Sequence, residues 1–253
     1  MRIFAVSPRA LQRGFGFFGG DGGIISLVGG GGKSTLMYFL ASTCARQGKR
    51  VLVTTTTNIF QPSREYYAQN EEQVYALWEQ GKLAVVGTPI PGKGKLKAPA
   101  EDLLHSLLRQ ADVAFIEADG SKHYPCKVPR EGEPVLLPQS DTVLAVLGLS
   151  AIGKPVGEVC FRLPEVTRLL GVDEHHILTE EDAARILASS FGGRKGVGDR
   201  KFCVVLNQCD DGPRRRSANL IAQYLERYDV KNVVMTAFDP DEREAFNQMA
   251  GVK

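Results

Sequence analysis

The sequence lacks most of the features that would place it outside ordinary globular proteins. Lys plus Arg total 31 against 29 Asp plus Glu, a net charge of +2, so no one-signed field points to nucleic acid or an anionic membrane, and any anion must be bound locally. No run of about 18 apolar residues offers a membrane span. The stretch MRIFAVSPRALQRGFGFFGG places Pro8, Arg9, Gln12 and Arg13 where a secretory signal needs its apolar centre, which predicts a cytoplasmic chain. The five cysteines, Cys44, Cys126, Cys160, Cys203 and Cys209, contain no C-x-x-C pair; they fit reduced thiols better than a disulfide frame or zinc knuckle. His105, His123, His175 and His176 show no ligand spacing with carboxylates or cysteines, so no metal-hydrolase site is legible. The single tryptophan, Trp78, falls near Tyr66, Tyr67 and Tyr75 and reads as the cap of a small apolar cluster.

Glycine is in excess, at 27 of 253 residues, and ten of these fall between Gly14 and Gly32. Around them the chain alternates strand and helix. The apolar run Ile24 to Val28 precedes four glycines, and Ser34 to Gln47 then sets Leu36, Phe39, Leu40 and Cys44 at helical spacing. Gly48 stops that helix, and the β-branched RVLVTTTT stretch (Arg50 to Thr57) predicts a parallel second strand. Further strands are expected at Leu83 to Val86, Val113 to Ala118, Thr142 to Leu147, Lys201 to Leu206 and Asn232 to Thr236. Helices are expected near Glu71 to Gln80, Glu101 to Arg109, Pro164 to Leu170, Glu180 to Phe191 and Arg214 to Tyr228, with one more at the close. The turn-rich, basic PIPGKGKLKAP reads as a mobile surface loop. This alternation predicts a three-layer α/β fold of the P-loop NTPase type with a mostly parallel sheet, forming one domain over residues 1–253 with insertions near 60–99 and 120–141.

Gly29-Gly30-Gly31-Gly32-Lys33-Ser34-Thr35 sits after a strand and opens a helix, the context a phosphate loop requires. Glycines let the backbone approach an anion without Cβ, so N–H groups and the positive helix end can converge on phosphate oxygens. Lys33 would reach the β- and γ-phosphates of ATP or GTP, and the Ser34 hydroxyl would ligate Mg²⁺ with Thr35 as helper. The loop is a shortened variant, since Leu27 stands where the longer motif has its first glycine. It resembles the phosphate loop of Mur ligases and folylpolyglutamate synthases and lacks the extra lysine of MinD-like NTPases. The remaining glycines, Gly14 to Gly23, read as a flexible turn before the first strand.

Glu117 and Asp119 emerge from the strand Val113 to Ala118, and a period of two puts them on one side. One could hold Mg²⁺, Asp119 being the metal candidate, while the other positions the attacking group; Asp119-Gly120 also reads as a simple turn. Lys122, Lys127 and Arg130 could neutralise phosphate or a second anionic substrate, or stand solvated. Thr54 to Thr57 and Asn58 end near the same rim. Asn207-Gln208-Cys209-Asp210 resembles the N-K-x-D guanine-recognition element of GTPases, with Asn207 and Asp210 on the base and Gln208 in place of the lysine. An Asn/Asp turn explains the same letters.

Taken together, VGGGGKSTLM (Val28 to Met37), RVLVTTTTNIF (Arg50 to Phe60), IEADGSK (Ile116 to Lys122), VLAVLGLSAIGKP (Val143 to Pro155) and GGRKGV (Gly192 to Val197) resemble the YqeC family, whose members are described as selenium-dependent molybdenum hydroxylase accessory proteins. The resemblance implies an NTP-dependent accessory or maturation step, with a molybdenum hydroxylase or its cofactor as partner. An ATP-dependent kinase or ligase acting on a small molecule is the alternative.

Overall fold

The computed structural model describes residues 2–6 and 23–252. Gly14, Gly16, Gly19, Gly20 and Gly22, expected to form a turn ahead of the first strand, lie outside the described residues. Among those described, nine strands form one sheet: β1 (Arg2–Val6), β2 (Gly23–Gly29), β3 (Val51–Thr55), β4 (Tyr67–Ala68), β5 (Ala84–Val86), β6 (Val113–Glu117), β7 (Thr142–Gly148), β8 (Lys201–Asn207) and β9 (Asn232–Thr236). Their order is β1-β9-β8-β7-β2-β6-β3-β5-β4, and every pairing is parallel. The strand β1 was not foreseen from its sequence.

Near-continuous apolar runs such as Ile24 to Val28 are what a strand covered on both faces needs, and the period of two divides each run between the faces. On one face Ile25, Leu27, Val53, Phe115 and Val146 pack under α1 (Lys33–Arg46) and the closing helix, Pro240–Met249. On the other face Val28, Val143, Ala145 and Leu206 pack against Leu163–Leu170, Glu180–Ala188 and Gly212–Arg227. Leu52, Ala84 and Ala114 pack there against Glu71–Glu79 and Glu101–Gln110. The result is the three-layer α/β fold that the alternation predicts.

Strands later in the chain than β2 divide around it, β6, β3, β5 and β4 to one side and β7, β8 and β9 to the other. The connections leaving its carboxyl end therefore part, and a crevice opens where parallel sheets bind ligands.

The basic segment read as a mobile loop is instead paired. Lys95–Lys97 lies between Asn58–Phe60 and Thr88–Ile90 in a small antiparallel sheet. Leu96 points into the core while Lys95 and Lys97 point away, and Pro89 is tolerated because its strand is at an edge. Cys126–Lys127 pairs in parallel with Cys160–Phe161. All five cysteines are buried thiols. Among the described residues, no helix is long and apolar enough to cross a membrane.

Candidate functional site

The glycine loop leaves β2 and enters α1 through backbone that side chains would block. At Gly31 φ is +83°, and a Cβ would lie 2.2 Å from the Gly148 nitrogen. At Gly32 φ is +105°, and a Cβ would lie 2.4 Å from the Asn207 amide nitrogen. Glycine accepts both the left-handed dihedrals and the contact.

Not all of the loop's N–H groups face a ligand. Gly29 N–H donates to both Asp119 oxygens at 3.1 Å, Gly30 N–H to the Val146 carbonyl at 2.9 Å and Gly31 N–H to the Tyr124 carbonyl at 3.1 Å. These three fix the loop to its neighbours. The first helical bond runs from Leu36 N–H to the Gly32 carbonyl, so the N–H groups of Lys33, Ser34 and Thr35 precede it and have no helical acceptor. Gly32, Lys33, Ser34 and Thr35 line a cavity of about 730 Å³, whereas Gly29, Gly30 and Gly31 stand behind it. The positive helix end and three or more donors therefore open onto one space.

Lys33 Nζ donates to the Gly29 carbonyl at 2.5 Å and lies 3.1 Å from Asp119 Oδ1. Lys127 Nζ lies 3.1 Å from Asp119 Oδ2 and 2.7 Å from Glu133 Oε2, and donates to the Gly120 carbonyl at 2.8 Å. Asp119 thus has a cation on each oxygen and is itself 1% exposed, an arrangement that keeps a buried charge compensated. Glu133 also receives Arg162 at 2.6 Å and Arg130 at 3.3 Å. Burial acts to raise the Glu133 carboxyl, but hydrogen bonds from Arg162 and Lys127 outweigh it and hold its pKa down to about 2.

Glu117, at the end of β6, accepts a hydrogen bond from Ser34 Oγ at 3.2 Å. Burial pushes the pKa of Glu117 up, nearby Asp119 adds to the rise, and Lys33 and Ser34 only partly oppose it. A carboxyl that is costly to ionise in isolation suits a place where a cation arrives. Ser34 and Glu117 are oxygen donors suited to Mg²⁺, which typically keeps waters and substrate phosphates in its remaining positions. No group of three or more His, Cys, Asp or Glu poised for a metal occurs among the described residues. Of the two candidate carboxylates, Glu117 faces Ser34 and the cavity, while Asp119 is committed to lysines and the loop.

Asn207, at the end of β8, is buried. Its amide donates to the Gly31 carbonyl at 2.8 Å, and its carbonyl accepts from Thr236 Oγ1 at 2.7 Å. In this arrangement it braces the glycine loop. Asp210 meets Arg214 at 3.0 Å and Arg243 at 3.3 Å. Gln208 Oε1 accepts from Ser150 N–H.

The hydroxyls of Thr54, Thr55 and Thr56 are bound to backbone carbonyls of Val86, Glu117 and Val135; Thr57 and Asn58 line the cavity. Thr35 Oγ1 donates to Asn247 Oδ1 at 2.9 Å. Trp78 donates to the Val51 carbonyl at 2.9 Å and packs among the residues of a small core.

Sequence reasoning missed Phe60, Glu133, Phe161 and Arg162. Phe60 closes the RVLVTTTTNIF segment without a role being read from it, and no motif marks the other three, because each reaches the cavity only through the folding of a loop or a small sheet. It also left open a solvated Lys127, which is in fact buried.

Residues 25–164 match the YqeC protein family. The uncharacterised protein YqeC of Escherichia coli K12 is 29% identical over 227 residues, spanning 83% of this chain and 85% of its own length. Among solved structures, the septum site-determining protein MinD from Pyrococcus horikoshii, complexed with Mg-ADP, is 13% identical, with a TM-score of 0.41 over 90% of this chain and 93% of that one. HypB from Helicobacter pylori in complex with nickel is 10% identical, with a TM-score of 0.37 over 94% and 90%.

Proposed function

Because the chain belongs to the YqeC family and turns a helix end, Lys33 and Ser34 onto one cavity, we propose that it is a Mg²⁺-dependent P-loop nucleotide-binding protein, an NTPase acting as an accessory factor in the maturation of a molybdenum-containing, selenium-dependent hydroxylase. The observation that carries the nucleotide is the glycine loop: Asp119, Val146 and Tyr124 take the N–H groups of Gly29, Gly30 and Gly31, and the N–H groups at the start of α1 are left to the cavity. The hydroxylase comes from the family resemblance.

In this reading the N–H groups of Lys33, Ser34 and Thr35 receive phosphate oxygens. Lys33 turns from the Gly29 carbonyl to the outer phosphates, and Asp119 keeps Lys127 as its counter-charge. Ser34 and Glu117 would hold Mg²⁺, which would neutralise charge on the phosphates when bound. With Asn207 bound to the loop, the reading carries no preference between ATP and GTP.

Lys33→Ala tests the site. A charge-assisted bond is worth about 1.5–3 kcal/mol, so nucleotide affinity should fall roughly 10- to 150-fold by calorimetric titration. Unchanged affinity would remove the assignment. The alternative, an ATP-dependent kinase or ligase, gains support from the cations that line the rest of the cavity.

A further inference from the structure

The start of α1 accounts for one anion, but most of the cavity's cationic side chains lie away from it. Five cationic side chains and two carboxylates line the space. Two basic stretches far apart in sequence meet there: Lys95 from the small antiparallel sheet, and Lys122 from the loop after β6. Lys95 Nζ sits 4.8 Å from the centre of the Phe60 ring, and Lys122 Nζ sits 5.5 Å from that of Phe161. Among the described residues, neither lysine is paired with a carboxylate. Glu133 does not serve them, being held by Lys127, Arg130 and Arg162.

Arg162 adds a planar cation, with its guanidinium 4.5 Å from the Phe161 ring centre and its buried Nε without a hydrogen-bond partner. The His123 ring lies 5.7 Å from that of Phe60. The backbone points the same way. Five non-glycine residues among those described have left-handed φ, and three of them, Lys122 at 48°, His123 at 67° and Arg162 at 69°, line this cavity. Such dihedrals are unfavourable for side-chain-bearing residues and concentrate where the fold holds a group for a ligand.

Resting on the nucleotide reading for the other end of the cavity, the geometry points to a second ligand site walled by Phe60, Lys95, Lys122, Phe161 and Arg162. Its ligand is a small molecule with a flat unsaturated ring system and a phosphate or carboxylate group, bound at the same time as the nucleotide. Lys95 and Lys122 take the anionic group, and the Arg162 guanidinium, supported by a Phe161 ring that is itself stacked on Tyr124, lies against the flat body, with the Phe60 ring bordering it.

Flavin mononucleotide is a suitable probe, because it joins a fluorescent planar ring to a phosphate. The full chain, saturated with Mg²⁺ and a non-hydrolysable ATP analogue, is titrated with it by fluorescence anisotropy. Riboflavin and ribose 5-phosphate serve as the ring alone and the anion alone, and each should bind at least tenfold more weakly. Lys95→Ala with Lys122→Ala should weaken flavin mononucleotide at least tenfold and leave the ATP analogue within twofold, while the paired Lys→Arg changes preserve both. Lack of flavin mononucleotide binding, its displacement by the ATP analogue, ribose 5-phosphate binding as tightly, or indifference to the double alanine change would each overturn the proposal. If the ATP analogue fails to bind while the lysine-dependent flavin mononucleotide binding persists, the nucleotide reading falls and the aromatic-cationic site stands.

Discussion

Asn207→Ala separates bracing of the loop from recognition of a base. The side chain makes two buried hydrogen bonds, to the Gly31 carbonyl at 2.8 Å and from Thr236 Oγ1 at 2.7 Å. Each bond contributes about 1 kcal/mol net, and each partner left without one costs about 1–3 kcal/mol, so the two together should destabilise the fold by about 2–4 kcal/mol. For a chain of this size 1 kcal/mol corresponds to roughly 2–4 °C, giving a fall in melting temperature of about 5–15 °C by differential scanning calorimetry. With Gly31 released, the proposed function expects ATP and GTP to weaken together, because the glycine loop has lost a rear support common to both. If GTP affinity falls alone while the melting temperature holds, Asn207 reads the base and the bracing argument is wrong.

Three other changes probe the same region. Lys127→Met leaves Asp119 and Glu133 each short of a buried cation, and should cost about 3–5 kcal/mol in urea unfolding; a loss below about 1 kcal/mol would mean the ion pairs are replaceable by water. Gly31→Ala places a methyl against Gly148 in left-handed backbone and should abolish detectable nucleotide binding by titration, with only residual affinity if the loop can move aside. Glu133 has a folded-state pKa of about 2 against an ordinary 4.5, so the unfolded chain takes up its proton first as the pH falls. The stability it confers is present above about pH 4.5 and lost toward pH 2. Glu133→Gln should therefore flatten the acid limb of the stability profile between those values, and an unchanged acid limb would show that other carboxylates control it.

Much of the fold was legible because parallel strands buried on both faces write themselves as apolar runs, and α1 follows its glycines at a clear period. The strand β1 gave no such signal: RIFAV is five residues long, and it gains its status from pairing with β9. The small antiparallel sheet was hidden by Pro89 and the glycines around it, which signal turns regardless of what the turns join. The placement of Lys33, Ser34 and Glu117 at one cavity was readable because a strand, a loop and a helix end fix their direction locally. Asn207 was not. Its letters fit base recognition, and only the close approach of Gly32, which has no side chain to keep the amide away, reveals a bond to the loop. Lys127 and Arg162 are likewise matters of tertiary placement, since nothing local distinguishes a lysine in solvent from one between two carboxylates.

The bracing of Gly31 by Asn207, and of Asn207 by Thr236, ties the loop to nearly the whole chain. Residues 29–35 emerge early in synthesis, but their supports come from positions 119, 124, 146, 207 and 236. A nascent chain that has not delivered β9 has the glycine motif without its shape. The loop therefore reaches its braced form only late in the life of the polypeptide, and, on the proposed function, a chain interrupted before Thr236 should bind nucleotide more weakly than the finished molecule.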